Sequence, residues 1–262
     1  MRSLWTDLAA SFRNPGFWAF ASWLDIVVRY RQSRLGMFWL VAPAVVYVWG
    51  LGSFFAAMNG TPITRFAAYV GIGWLVFRVI NTVILDSTGA FAASASFILD
   101  GHVRLTDFVL QVASKSLFYF VSSLPVVAIA LAISPEVHAT GFLFATVGFV
   151  VILLNLLWIG VLFSLIGARF RDMGQFISNI FMFAFLLTPI IWQADSMPAG
   201  GMRATLMRIN PLYHLIELVR APILGTSIAA SSLYYVAVMT AVGWLAASLA
   251  YRRYARFVPI WV

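Results

Sequence analysis

The amino-acid sequence predicts an all-α integral membrane protein of six transmembrane helices, with an amphipathic interface helix ahead of the first span and short helices in a long outer connection. Three observations carry this. Hydrophobic residues make up 62% of the 262 residues and charged residues only 10%, against roughly a quarter charged in a soluble domain. Apolar runs repeatedly reach the ~20 residues that cross a hydrocarbon layer of about 30 Å. The basic residues, 16 arginines and Lys115, sit mainly at the ends of those runs and favour one side.

Residues 1–35 are read as a cytoplasmic segment. Arg13, Asp25 and Arg29 interrupt any apolar stretch that a cleavable signal peptide would need, so the amino terminus is expected to be retained. Phe17, Phe20, Trp23, Leu24 and Val27 recur at helical spacing, while Asp25, Arg29 and Arg31 project elsewhere. Such a helix is expected to lie along the cytoplasmic interface, either as a membrane anchor or as a docking surface for a cytosolic partner.

Residues 36–262 are read as the six-span transmembrane domain. The spans are expected near 36–58, 66–85, 108–133, 141–167, 175–193 and 233–250. With the amino terminus inside, eleven basic residues fall in cytoplasmic segments and four in outer ones, while Arg78 and Lys115 fall within spans. That bias places both termini in the cytoplasm, which requires an even number of crossings.

Two connections are too long to be simple turns. Residues 86–107 hold Ala-Ser-Ala-Ser and then the polar cluster Asp100, His102, Arg104 and Asp107, which reads either as a solvated turn or as a partner contact. Residues 195–232 are too polar to cross and too apolar to be a free loop, and are expected to dip into the outer membrane surface. There Asn210 and Pro211 form a helix start, Leu212, Leu215, Ile216 and Val219 an apolar stripe, Glu217 and Arg220 a pair on the other face, and Gly225 a helix end.

Within the spans ionisable groups are few, because a charge at the bilayer centre costs about 2.5–3.5 kcal/mol on the mildest scale. Lys115 is expected to snorkel to the cytoplasmic interface. Arg78 lies deeper; it either faces an aqueous cavity, or snorkels or pairs with Asp86. The first span carries Phe38, Trp39, Tyr47, Trp49, Phe54 and Phe55. Most such rings belt the interfaces or face lipid, but a subset facing a channel could stack on sugar rings.

Several function classes lose support. The net charge of +8 is scattered over segment ends and does not form a nucleic-acid surface. With no cysteine, and with His102, His138 and His214 in three separate connections, a metal site is not expected. The only lysine lies in Ala-Ser-Lys-Ser, so no phosphate-cradling loop is present and ATP hydrolysis by that route is excluded. No paired-carboxylate or Ser/His/Asp constellation is apparent, so no catalytic residue is assigned. No two glycines stand four apart, so the commonest close helix-dimer motif is missing.

Three stretches carry a resemblance. Arg29-Tyr30-Arg31-Gln32-Ser33-Arg34-Leu35-Gly36 leading to Trp39, Ala168-Arg169-Phe170-Arg171-Asp172 with Leu187-Thr188-Pro189-Ile190-Ile191-Trp192, and Asn210-Pro211-Leu212-Tyr213-His214-Leu215-Ile216-Glu217 with Arg220 and Gly225 resemble, in order along the chain, permeases of polysaccharide-exporting ABC transporters. The resemblance implies a homodimer in the bacterial inner membrane above two cytosolic ABC ATPase subunits, which bind the ATP and magnesium; this chain itself needs no cofactor. The cargo it implies is a lipid-linked polysaccharide, foremost O-antigen of lipopolysaccharide on polyprenyl diphosphate, with capsular polysaccharide or teichoic acid as alternatives.

By the same resemblance, the amphipathic helix with Arg29 and Arg31 and the loop helix with Asp100, His102 and Arg104 meet the ATPase. Asn210, Pro211, Tyr213, Glu217 and Arg220 belong to outer gate helices. From the residues themselves, Trp39, Tyr47, Trp49, Phe54 and Arg78 are the candidates expected to line the path. A secondary transporter would show inverted repeats with broken helices and carboxylates in its spans, and a membrane-embedded enzyme a polar catalytic cluster, for which His102 with Asp100 and Asp107 is the one candidate.

Overall fold

A computed structural model describes residues 3–31, 34–193 and 201–262, and all regular structure among them is helical. Helix α1, Leu4–Arg13, starts where the Ser3 hydroxyl accepts a hydrogen bond from Thr6 N at 3.2 Å. Its buried side carries Leu4 and Leu8 but also Asp7 and Ser11, so its own periodicity does not announce it. Partners distant in sequence make that side: Asp7 Oδ2 accepts from Tyr251 Oη at 2.7 Å, the Ser11 and Thr106 hydroxyls are 2.7 Å apart, and Trp5 stacks on Trp244 at 4.7 Å.

Helix α2, Gly16–Arg31, buries Ser22 and Ile26 and leaves Phe20, Trp23, Leu24 and Val28 exposed. It packs along a later span, through Ser22 and Ile26. The amphipathic pattern is real, but the polar Ser22 side packs on protein, with its hydroxyl 3.0 Å from that of Ser114, and the apolar stripe faces outward.

Span α3, Phe38–Met58, contains Pro43 and a π-helical stretch, Val46–Leu51. The proline removes one helical donor and the wider turn re-aims the side chains after it. The central span α4, Ile63–Ala93, is buried on most sides and runs past the expected boundary at 85. Most of the supposed loop after it is therefore helix: only α5, Ala95–Asp100, and short links remain before α6, Leu105–Ala132. Asp107 caps α6 by accepting from Arg104 N at 3.1 Å.

Span α7, Gly141–Arg169, is followed by α8, Met173–Leu187, α9, Met202–Ile209, α10, Pro211–Ile223, and α11, Ala230–Tyr254, which continues through a 3₁₀ turn into α12, Val258–Trp261. Among the described residues five helices are long and apolar enough to cross a membrane: α3, α4, α6, α7 and α11 with its extension. The expected sixth, 175–193, is a helix of only 15 residues. Pro189 is the reason: the residue before a proline is pushed out of the helical region, and Thr188 is extended at φ −87°, ψ 134°.

Close packing relies on glycines seven apart, not four. A Cβ at Gly141 or Gly148 of α7 would overlap the Pro222 or Leu218 carbonyl of α10, and one at Gly167 the Thr88 carbonyl of α4. The bundle has two ends. At one, α1 meets α11 and α6, and Arg169 lies 5.8 Å from the Trp261 ring. At the other, Arg65 pairs with Glu136 at 3.3 Å and His138 N donates to Ile223 O at 2.9 Å. Helix α8 leaves the first end, where Gly174 faces Thr88, and reaches the second, where Tyr69 Oη donates to Pro189 O at 3.3 Å.

Candidate functional site

A cleft of about 390 Å³ opens between α3, α4 and α8. Its walls are interlocked rings: Tyr47 stacks on Trp74 at 5.5 Å and stands edge-on to Phe185 at 5.6 Å, while Phe77 meets Phe185 at 5.3 Å and Phe181 at 5.8 Å. The π-helical turn brings Tyr47 there. On α4, Trp74, Arg78 and Asn81 follow at helical spacing, so one face of the helix presents a ring, a guanidinium and an amide together.

Arg78 Nη1 donates to Ser123 Oγ at 3.0 Å and to Leu40 O at 3.3 Å, and its guanidinium lies 5.1 Å from the Trp74 ring and 5.4 Å from that of Tyr119. None of these partners is a carboxylate. Asp86, the alternative partner raised by the sequence, instead pairs with Lys115, Nζ to Oδ2 at 2.6 Å. Asn81 Oδ1 is buried without a hydrogen-bond partner among the described residues. Ser178 of α8 lines the cleft as well, and it is exposed, as are Gln175 and Asn179 of the same helix. Flat apolar faces beside unspent donors and acceptors suit a ligand that is carbon-rich on its faces and hydroxylated at its edges.

Of the residues expected on a path, Tyr47 and Arg78 line this cleft. Trp39 is exposed on the first turn of α3, Phe54 is exposed and edge-on to Phe55 at 5.4 Å, and Trp49 packs against the core. Trp74, Phe77, Asn81, Ser178, Phe181 and Phe185 were not singled out by the sequence. Their signal was present as helical spacing around Arg78 and along α8, but which face of each span met the other was not.

The expected gate residues gather above the end of α8. Asn210 Oδ1 accepts from Leu212 N at 3.0 Å, and its Nδ2 donates to Thr188 Oγ1 at 2.8 Å. Pro211 occupies the first turn of α10, and Gly225, at φ +71°, ends it, with Thr226 N donating to Ala221 O at 2.9 Å. Tyr213 is half-buried, its ring centroid 5.1 Å from that of His214. Two expectations change. Arg220 is not on a solvated face: it is 2% exposed, donates to Glu217 and to the Pro189 carbonyl, and lies 4.0 Å from the Tyr69 ring. His214 is not in a polar connection but buried in α10, its nitrogens each 2.8 Å from Ser232 Oγ and Arg208 O, and it stacks on Tyr235 at 4.2 Å. Residues 195–200 of the expected outer segment lie outside the described residues, as do Gln32 and Ser33.

The expected coupling residues form two groups. Asp100 and His102 are exposed, 3.1 Å apart, and Arg104 is half-buried at the start of α6. Phe17, at the near end of α2, meets Phe97 and Phe108, both at 5.7 Å. Arg29 lies at the far end of α2, Nη1 3.4 Å from Tyr119 Oη, with Arg31 exposed beyond it.

A bundle of long apolar helices around a partly polar cleft defines a multi-pass membrane protein. The chain belongs to the ABC-2 type transporter family, whose membrane region it matches over residues 18–224. Among curated proteins it is similar to the O-antigen export system permease protein RfbA of Klebsiella pneumoniae, 23% identical over 196 residues, 73% of this chain and 74% of that one. It is also similar to the protein of the same name from Myxococcus xanthus, 26% identical over 200 residues with the same coverage of each chain.

Proposed function

We propose that this chain is the transmembrane subunit of an ABC exporter that moves a lipid-linked polysaccharide, O-antigen on polyprenyl diphosphate, across the inner membrane. Two separate cytosolic ATPase subunits power it with ATP and magnesium. The observation that carries the reading is the cleft: rings for sugar faces beside Arg78 and Asn81 for hydroxyls, in a family of transporters. A sugar polymer cannot shed its hydration into lipid, so its path needs protein groups of this kind.

The exposed polar residues of α8, Gln175, Ser178 and Asn179, would face lipid in a lone subunit, at a cost in the bilayer. A homodimer with its seam along α3 and α8 covers them and joins two clefts into one path. Helices α9 and α10 form the outer gate, with Asn210, Pro211, Tyr213, Glu217 and Arg220 tying it to the end of α8. The exposed Asp100 and His102, with Arg104 and α2, form the surface through which ATPase closure is felt.

Six crossings are the topology of this reading. Thr88 and Tyr69, the neighbours of α8 at its two ends, are nineteen residues apart on α4, about 28 Å at 1.5 Å per residue. Helix α8 with Thr188 and Pro189 therefore covers a distance close to the hydrocarbon thickness.

The test is deletion of this chain in its host, with polysaccharide scored at the cell surface and inside the cell. Polymer should vanish outside and accumulate inside, and Arg78→Gln at normal expression should restore export only partly. Surface polysaccharide that persists in the deletion strain overturns the assignment.

A further inference from the structure

Charged groups within long apolar helices mark functional sites, and Arg78 is not the only one here. Lys115 is 12% exposed and pairs with Asp86, 34% exposed, at 2.6 Å. Both line a second cavity, of about 330 Å³, between α2, α4 and α6, nearer the end where the chain termini meet. Gln111 and Asp25 complete the polar wall, with Gln111 Nε2 donating to Asp25 Oδ2 at 3.0 Å, and Phe108 supplies an apolar one. A half-buried ion pair contributes little to joining two helices, since well-packed apolar residues commonly do as well or better. Its presence on a cavity wall calls for something in the cavity.

The chemistry of the wall selects the occupant. Two carboxylates against one ammonium leave a net negative lining, which disfavours phosphate and diphosphate. The polar wall disfavours an acyl chain. A neutral polyol has no such penalty: its hydroxyls donate to Asp86 and Asp25, accept from Lys115 and Gln111, and its carbon face rests on Phe108. The volume, at the small end of ligand pockets, accommodates a ring or two.

We propose that this cavity is a sugar subsite separate from the aromatic cleft, holding a neutral sugar residue of the cargo on the cytoplasmic side before it enters the path. The inference rests on the reading of the chain as a polysaccharide exporter, and the two fail separately. The deletion experiment reads the cargo, whereas the following experiment reads only the cavity.

The chain has no cysteine, and a Cβ at Gly89, on the cavity wall, meets nothing within 4 Å. Gly89→Cys in the full-length protein in nanodiscs gives a single thiol whose maleimide labelling rate reports occupancy. Neutral trisaccharides, namely mannotriose, cellotriose and the N-acetylglucosamine trimer, should between them include one that slows labelling severalfold, with inorganic pyrophosphate and phosphoethanolamine inert. The protection should disappear in Asp86→Leu with Lys115→Leu, and, should that pair not yield folded protein, weaken in Gln111→Leu. Protection by none of the sugars, protection unchanged in the variants, or protection by pyrophosphate or phosphoethanolamine, which would make the cavity a lipid headgroup site, each overturns the proposal.

Discussion

Arg220 shows how much a single residue can hold in this protein. It is buried to 2%, yet it binds the carboxylate of Glu217 on its own helix and the carbonyl of Pro189 at the end of α8, under the ring of Tyr69. Removing a buried charge leaves its partners unpaired, which costs more than the interaction itself was worth. Arg220→Met should therefore lower stability by ~3 kcal/mol, read as thermal unfolding by intrinsic tryptophan fluorescence in detergent. Glu217→Gln leaves the buried guanidinium without its counter-charge and should cost a comparable ~3 kcal/mol; a loss near zero in either variant would show that the pair does not hold α10. The spacing of Glu217 and Arg220 was legible, because three residues apart means one helix face. Their burial was not, because an i,i+3 pair reads the same on a solvated helix, and the carbonyl that Arg220 reaches is 31 residues away. The cleft was legible to the same degree: Arg78 was the deep charge, but Asn81 and Phe185 acquire meaning only once α4 and α8 face each other.

At the scale of elements, helices whose signals are local were readable and those made by distant partners were not. Asn210-Pro211 and Gly225 mark the two ends of α10, and the structure has them there, because capping and the left-handed glycine are properties of the helix itself. The apolar run at 175–193 was read through its proline, and α8 ends two residues before Pro189. Helix α1 was missed because Asp7 sits on its buried side, and an aspartate there makes sense only with Tyr251, 244 residues on. That bond gives an expectation of its own. Tyr251→Phe removes the Tyr251 hydroxyl as a donor to Asp7, a loss of about 1–3 kcal/mol for a buried polar group. Because the loss falls on a terminal helix, it should appear as local opening: hydrogen exchange in Leu4–Arg13 should speed up while α4 stays protected. Unchanged protection of α1 would mean that Leu4, Leu8 and Trp5 dock it unaided.

At the scale of the whole molecule, two lines that share no residue types converge on where the ends lie. Arginines gather at alternate span ends, as they do when the cytoplasmic side retains them. Independently, Asp7 and Tyr251 are hydrogen-bonded, so both ends of the chain sit at one end of the bundle. Ends on one side demand an even number of crossings. Among the described residues five helices are long enough to cross, so the proposed six-crossing topology makes α8 the sixth passage despite its 15 residues. The cysteine-free sequence makes this directly measurable by single thiols and a membrane-impermeant maleimide in intact spheroplasts. Asn59→Cys and Glu136→Cys, in the turns at the far end of the bundle, should label from outside. Arg13→Cys and Arg256→Cys, at the end shared by the termini, should label only after the membrane is opened. Labelling of Arg256→Cys from outside with Arg13→Cys still protected would mean five crossings. In that case α8 would be a re-entrant helix, and the cleft it forms with α3 and α4 would open to one side of the membrane without leading across it.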